Sequence, residues 1–269
     1  MAGTSGTMLD VDGLPVHCVR LGQDGTRRPV LLLHGWGANV DLLLPLADWL
    51  VRLGHPVTAL DLPGFGATPE PPAPWTVYDY ARFVLKFMDA CGLTAPVNLF
   101  GHSFGGRLGL ILGAQSPERL HKLVLADSAG VKPPAPSGAQ ARLTAYKAVR
   151  DGLKRVGLSG LSDQLRTAYN ARYGSSDFNA AQGVMRQTFV NVVNEDLLPL
   201  AAQVQRPVLL LWGDRDEDTP LSQGRALEAA IPDAGLVVLE GAGHYSYLDR
   251  LADAARIMDF FYRQGDSPA

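Results

Sequence analysis

A serine set between glycines, a histidine that follows two more glycines, and a group of aspartates between them in the chain have the residue types for nucleophilic acyl transfer. In Gly101-His102-Ser103-Phe104-Gly105, Ser103 follows the apolar run Val97-Asn98-Leu99-Phe100 and precedes the helix-like Gly106 to Leu112. A serine at such a strand-to-helix switch reads as a nucleophile elbow, a turn so tight that only glycine fits two positions either side, with the hydroxyl exposed above the sheet. A hydroxyl is a poor nucleophile at neutral pH, so it needs a base, the base needs an orienting acid, and the oxyanion needs donors.

Each partner has a candidate. His244, in Gly241-Ala242-Gly243-His244, follows an apolar run and falls where a strand's carboxyl end opens into a loop, so it is assigned as the general base. The segment Trp212-Gly213-Asp214-Arg215-Asp216-Glu217-Asp218-Thr219-Pro220 offers three aspartates. Asp216 is assigned as the acid, Asp214 to bracing the turn and Asp218 to capping the helix begun by Pro220. Asp127, at the end of an earlier strand, is the alternative acid, because such triads are defined by geometry and not by chain position. His34-Gly35-Trp36-Gly37 fits the loop that supplies one oxyanion N–H, with the other from the residue after the nucleophile. The backbone amides of Trp36 and Phe104 are therefore the predicted donors. Trp36 also walls the predicted substrate pocket, with Asn191, Asn194 and Glu195 as further lining candidates. His34 and His102 read as structural, and Asp61-Leu62-Pro63-Gly64-Phe65-Gly66 as a rigid turn at the pocket rim.

These groups need a frame that brings strand ends together. Short apolar runs alternate with helix-period segments, the pattern of a parallel sheet covered by helices. An N-terminal hairpin, Met8 to Val11 and Val16 to Leu21, precedes strands Val30 to Leu33, Val57 to Leu60, Val97 to Phe100 and Leu123 to Ala126. Helices are expected from Leu42 to Leu53, Tyr78 to Cys91 and Phe104 to Ala114. The alternation stops at Asp127-Ser128-Ala129-Gly130, and Val131 to Gly138 reads as an exit from the sheet. Helical patterns then run to about Leu200, before strands Arg206 to Trp212 and Gly235 to Leu239 and a final helix from Tyr247 to Arg263. The expected organisation is a core domain of residues 1–130 and 201–269 with a helical lid inserted at 131–200. That lid carries nine Lys or Arg against five Asp or Glu, whereas the whole chain is at -3.

The 269 residues are 46% hydrophobic and 19% charged, enough for one large core. A pI near 6.1 argues against a nucleic-acid face. No apolar run approaches the roughly 20 residues that span a bilayer. The first seven residues have no signal-peptide pattern, so a cytoplasmic location is expected. Cys18 and Cys91 show no metal-ligand spacing and read as reduced apolar residues. There is no phosphate loop, no His-Glu-x-x-His and no dinucleotide fingerprint, so neither cofactor nor metal is implied.

Taken with their order, Gly101 to Gly106, His34 to Gly37 and Gly243-His244 resemble the α/β-hydrolase superfamily along nearly the whole chain. More narrowly, Asp61 to Gly66, Trp75 to Tyr80, Met185-Arg186-Gln187 and Val193 to Leu197 look like a branch of small bacterial serine hydrolases. The resemblance implies an α/β fold with a mostly parallel eight-stranded sheet, helices on both faces, and the chain order serine, acid, histidine. Haloalkane dehalogenases and epoxide hydrolases of this fold carry aspartate where Ser103 stands, which disfavours both reactions. The expectation is a serine hydrolase acting on an ester or related acyl bond of a small molecule, with the basic lid suited to an anionic one. The alternatives are carbon-carbon hydrolysis of a vinylogous diketone acid, or a small-molecule receptor that keeps the triad and signals through its lid.

Overall fold

The computed structural model describes residues 6–132, 138–173 and 176–265. Most of the expected exit from the sheet, residues 133–137, and the tail at 266–269 lie outside the described residues. Eight strands form one sheet: β1 (Thr7–Val11), β2 (Leu14–Leu21), β3 (Val30–Leu33), β4 (Val57–Leu60), β5 (Val97–His102), β6 (Leu120–Ala126), β7 (Val208–Gly213) and β8 (Ala234–Leu239). Their order is β1-β2-β4-β3-β5-β6-β7-β8. β2 pairs antiparallel with β1 and β4, and every later pairing is parallel. The fold is thus the expected mostly parallel α/β architecture.

The helices are α1 (Leu44–Arg52), α2 (Val77–Ala90), α3 (Phe104–Gln115), α4 (Ala139–Arg155), α5 (Ser159–Tyr173), α6 (Ser176–Ala180), α7 (Gly183–Asn194), α8 (Leu198–Ala201), α9 (Leu221–Ala230), α10 (Ser246–Asp249) and α11 (Leu251–Arg263). Side chains alternate across the strands, so each central strand feeds two cores. Leu31 and Leu33 of β3 join Leu123 and Leu125 of β6 beneath α2 and α3, whereas Val30, Leu32, Val124 and Ala126 face α1 and α11. Burial on both faces explains why these strands read as unbroken apolar runs. α2 starts from a capping box in which Thr76 and Asp79 satisfy each other's backbone N–H groups. The expected final helix is broken at Arg250, whose φ of -125° and ψ of 47° are not helical. Its guanidinium turns back to the Glu240 carbonyl.

Among its described residues the segment between β6 and β7 holds no strand and carries α4 to α8. α7 turns Met185, Thr188, Phe189 and Val192 inward, while Val149, Val156, Leu158 and Leu161 of α4, α5 and their connection are exposed. The strands on either side of this segment remain neighbours, paired from Leu123↔Val208 to Ala126↔Leu211.

Two glycines make the β5–α3 turn possible. A Cβ on Gly101 would sit 2.4 Å from the Gly105 carbonyl oxygen, and one on Gly105 would sit 2.3 Å from that of Leu33. Backbone cannot yield cheaply, so Gly105→Ala is expected to cost about 2–3 kcal/mol. For a chain of this size that lowers Tm by roughly 4–12 °C, readable by calorimetry.

Candidate active site

Ser103, Asp216 and His244 converge above the carboxyl ends of β5, β7 and β8. Ser103 stands at φ 50° and ψ -104°, a strained conformation for a residue with a Cβ, imposed by the glycine-lined turn. Its Oγ lies 3.1 Å from His244 Nε2, and His244 Nδ1 lies 2.9 Å from Asp216 Oδ2. Asp216 is further held by the backbone N–H groups of Asp218 and Thr219, both 2.9 Å from Oδ1, and by the Thr219 hydroxyl, 2.7 Å from Oδ2.

The electrostatics follow from these contacts. Burial alone disfavours the His244 imidazolium, but the Asp216 carboxylate on Nδ1 outweighs it and holds the imidazole above its ordinary value. Burial likewise opposes ionisation of Asp216, yet the hydrogen bonds from His244 and Thr219 bring its carboxyl below the usual range. The ring therefore gains a proton at Nε2 readily while Nδ1 stays oriented.

Asp127, the alternative acid, faces elsewhere. Its Oδ1 accepts from the Gly213 N–H at 2.9 Å, and its Oδ2 from the Ser246 N–H at 3.0 Å and the Ser246 hydroxyl at 2.5 Å. It adopts the left-handed φ of 46° that aspartate tolerates better than most residues. Burial pushes its carboxyl up to about 7 despite those three donors. Asp127 thus ties the loop that carries Asp216 to the loop that carries His244.

The two histidines read as structural act as neutral braces. Burial pulls His34 down to about 4 and His102 down to about 3. His34 Nδ1 faces the Gly35 carbonyl at 2.7 Å and its Nε2 accepts from the Leu62 N–H at 2.9 Å. His102 Nε2 donates to the His244 carbonyl at 2.7 Å, which leaves the buried Nδ1 as an unpartnered acceptor. Asp214 accepts from the Gly241 N–H at 2.6 Å and so braces the turn. Asp218 departs from expectation: Pro220 occupies the cap position of α9, and Asp218 lines the cavity instead.

The cavity above Ser103 has a volume of about 670 Å³ and includes Gly35, Trp36, Phe104 and His244 in its wall. The backbone N–H groups of Trp36 and Phe104 have no acceptor among the described residues, and both residues border the space beside Ser103. The Trp36 ring packs edge-on against Phe65, Phe104 and Phe189, with centroids 4.8, 5.4 and 5.0 Å away.

Three lining candidates fall outside that wall. Asn191 Nδ2 donates to the Trp75 carbonyl at 3.2 Å, Asn194 Nδ2 donates to the Val190 carbonyl at 2.7 Å, and Glu195 accepts from the Tyr78 hydroxyl at 3.0 Å. The phase of α7 explains the correction, since Phe189, Val192 and Val193 take the cavity side. Thr219 and Arg107 went unassigned in the sequence. Thr219 could have been found as the residue three after Asp216, a spacing that suits a side-chain-to-backbone turn.

The chain has counterparts among known proteins. The family model described as alpha/beta hydrolase fold matches residues 28–251. The chain is 28% identical over 270 residues to the dihydrolipoyllysine-residue acetyltransferase component of the acetoin cleaving system of Cupriavidus necator, a match covering 91% of this chain and 65% of that protein. It is 29% identical over 271 residues to the pimeloyl-[acyl-carrier protein] methyl ester esterase of Neisseria meningitidis, covering 90% of this chain and 79% of the relative. The solved structure of an esterase from Exiguobacterium antarcticum superposes with a TM-score of 0.72 at 21% identity, over 96% of this chain and 100% of that one. No helix among the described residues is long and apolar enough to cross a membrane.

Proposed function

The chain belongs to the α/β-hydrolase fold family, and from that premise we propose that it cleaves a carboxylic ester or related acyl bond of a small molecule through an acyl-Ser103 intermediate. The observation that carries this reading is the continuous relay of two hydrogen bonds, 3.1 Å from Ser103 Oγ to His244 Nε2 and 2.9 Å from His244 Nδ1 to Asp216 Oδ2. The relative from Neisseria meningitidis that is described as a methyl ester esterase agrees with it.

In this mechanism His244 Nε2 takes the hydroxyl proton as Ser103 Oγ attacks the carbonyl carbon. The oxyanion is met by the free N–H groups of Trp36 and Phe104, which need no reorganisation to receive it. The imidazolium, stabilised by Asp216, returns its proton to the leaving alkoxide. Water, deprotonated by the same nitrogen, then releases the acid and restores Ser103. Residues 131–200 serve as the lid over this site, with Phe189 and Val192 of α7 as its inner wall.

Para-nitrophenyl esters of two to twelve carbons test the reading. Many turnovers per protein molecule are expected, with kcat/KM rising as His244 loses its proton. Because Asp216 holds the imidazole above its ordinary 6.5, the midpoint of that acid limb is expected above 6.5. One turnover per molecule, coupled to ligand-dependent stabilisation, would instead favour the receptor role. Absence of ester turnover would send the search to carbon-carbon substrates.

A further inference from the structure

Arg107 is the only lysine or arginine among the described residues that line the cavity. It lies one turn into α3, its N–H donating to the Ser103 carbonyl at 3.3 Å, so the two Cα atoms are about 6 Å apart along the helix axis. The side chain is nearly enclosed, with 7% of the residue exposed. The one hydrogen bond of its guanidinium among the described residues runs from Nη1 to the Glu195 carbonyl at 2.9 Å; Asp196 and Glu195 attract its charge, but neither carboxylate makes an ion pair with it. The neighbouring acids are engaged elsewhere: Glu195 by Tyr78, and Asp196 by the N–H groups of Lys132 and Leu198 at 3.3 and 3.2 Å.

A guanidinium has five donors, and holding one out of water without a hydrogen-bonded anion is unfavourable. Here Arg107 borders a cavity whose wall also includes the apolar Val131, Phe189, Val192 and Val193. The opposite charge collects elsewhere on the wall, where Asp177 and Asp218 stand near His244 and act on its field. His244 faces the leaving group in the proposed reaction. An anionic leaving group would meet those two carboxylates, whereas an anion on the acyl side would meet Arg107.

We infer that Arg107 anchors a carboxylate at the far end of the acyl chain, which makes the substrate class the hemiesters of short dicarboxylic acids. This rests on the proposed ester hydrolysis and deepens it. The ester C–O bond breaks, water gives its hydroxyl to the acyl carbon and a hydrogen to the alcohol, and the dicarboxylic acid leaves after ionising. The planar fork of arginine matches a carboxylate bidentately, which lysine cannot do.

The experiment compares ethyl hemiesters of four- to eight-carbon dicarboxylic acids with the matching ω-carboxamide ethyl esters. At the best chain length the wild type is expected to favour the carboxylate by at least about 10² in kcat/KM, expressed in KM. That ratio falls to near one in Arg107→Met and to an intermediate value in Arg107→Lys. A wild-type ratio near one, or an Arg107→Met protein in which both esters lose equally, overturns the assignment.

Two further measurements keep the test decisive. In wild type, adipate should inhibit hydrolysis of a neutral ester far better than adipamide does, and equal inhibition by the two overturns the anchor without any variant. Calorimetric titration of Ser103→Ala protein with adipate, against the Ser103→Ala, Arg107→Met double variant, reads the anchor without catalysis. Arg107-dependent binding without Ser103-dependent hydrolysis would leave the anchor and remove the esterase reading. Hydrolysis that ignores the carboxylate would do the reverse.

Discussion

Replacing Ser103 with alanine is expected to lower kcat/KM on the best para-nitrophenyl ester by at least about 10³, with the folded state retained. The substitution removes the one oxygen 3.1 Å from His244 Nε2 and leaves the glycine-bounded turn, the two free N–H groups and the cavity wall in place. Its effect should therefore fall on kcat and not on the binding of a carboxylic acid product. The same variant should no longer take up a covalent organophosphonate label, whereas the wild type does so at Ser103, as peptide mapping would show. Turnover that survives the substitution would remove the acyl-serine intermediate, and with it the proposed mechanism.

The second large effect separates the two candidate acids. Asp216→Asn should reduce kcat by about 10⁴, because an amide beside Nδ1 can present an N–H where the imidazole needs an acceptor, which turns the ring into the wrong tautomer. It also withdraws the charge that raises His244, so the acid limb of kcat/KM should move to lower pH. Asp127→Asn should act differently. Its carboxylate receives Gly213 and Ser246 and makes no hydrogen bond to the His244 ring. Loss there should appear mainly as a lower Tm, with kcat changed by less than about 10-fold. Kinetics and thermal melts on the two variants decide the matter, and a reversed pattern would move the orienting role to Asp127.

The sheet and the convergence point were readable because their causes are local. Strands buried on both faces must be apolar throughout, as Val30–Leu33 and Val208–Trp212 are, and a turn with carbonyls where Cβ atoms would go must have glycine, as Gly101 and Gly105 do. The pocket was less readable because it depends on helix phase. Asn191, Asn194 and Glu195 look polar enough to greet a substrate, yet α7 is rotated so that its apolar side takes the cavity wall, while Asn191 and Glu195 bond to Trp75 and Tyr78 and Asn194 bonds back to its own helix at Val190. Arg107 escaped for a related reason. In sequence it is one cation inside the apolar run from Gly105 to Gly113, and only the fold shows that its side chain is enclosed and hydrogen-bonded to a carbonyl in place of a carboxylate. The break at Arg250 has no cue in the apolar pattern, which continues through it.

The pairing of β6 with β7 bears on how this chain can change over generations. The helical segment enters and leaves the sheet between two strands already hydrogen-bonded to each other, from Leu123↔Val208 to Ala126↔Leu211. Its length and composition can therefore drift without altering the distance between Ser103 on one side and Asp216 on the other. Under the proposed lid role, selection can rewrite which molecules are admitted while the reacting groups stay where they are. Arg107 stands outside that freedom, since it belongs to the helix that begins at the nucleophile, and a lineage that altered its acyl preference there would have to do so within one turn of the reaction itself.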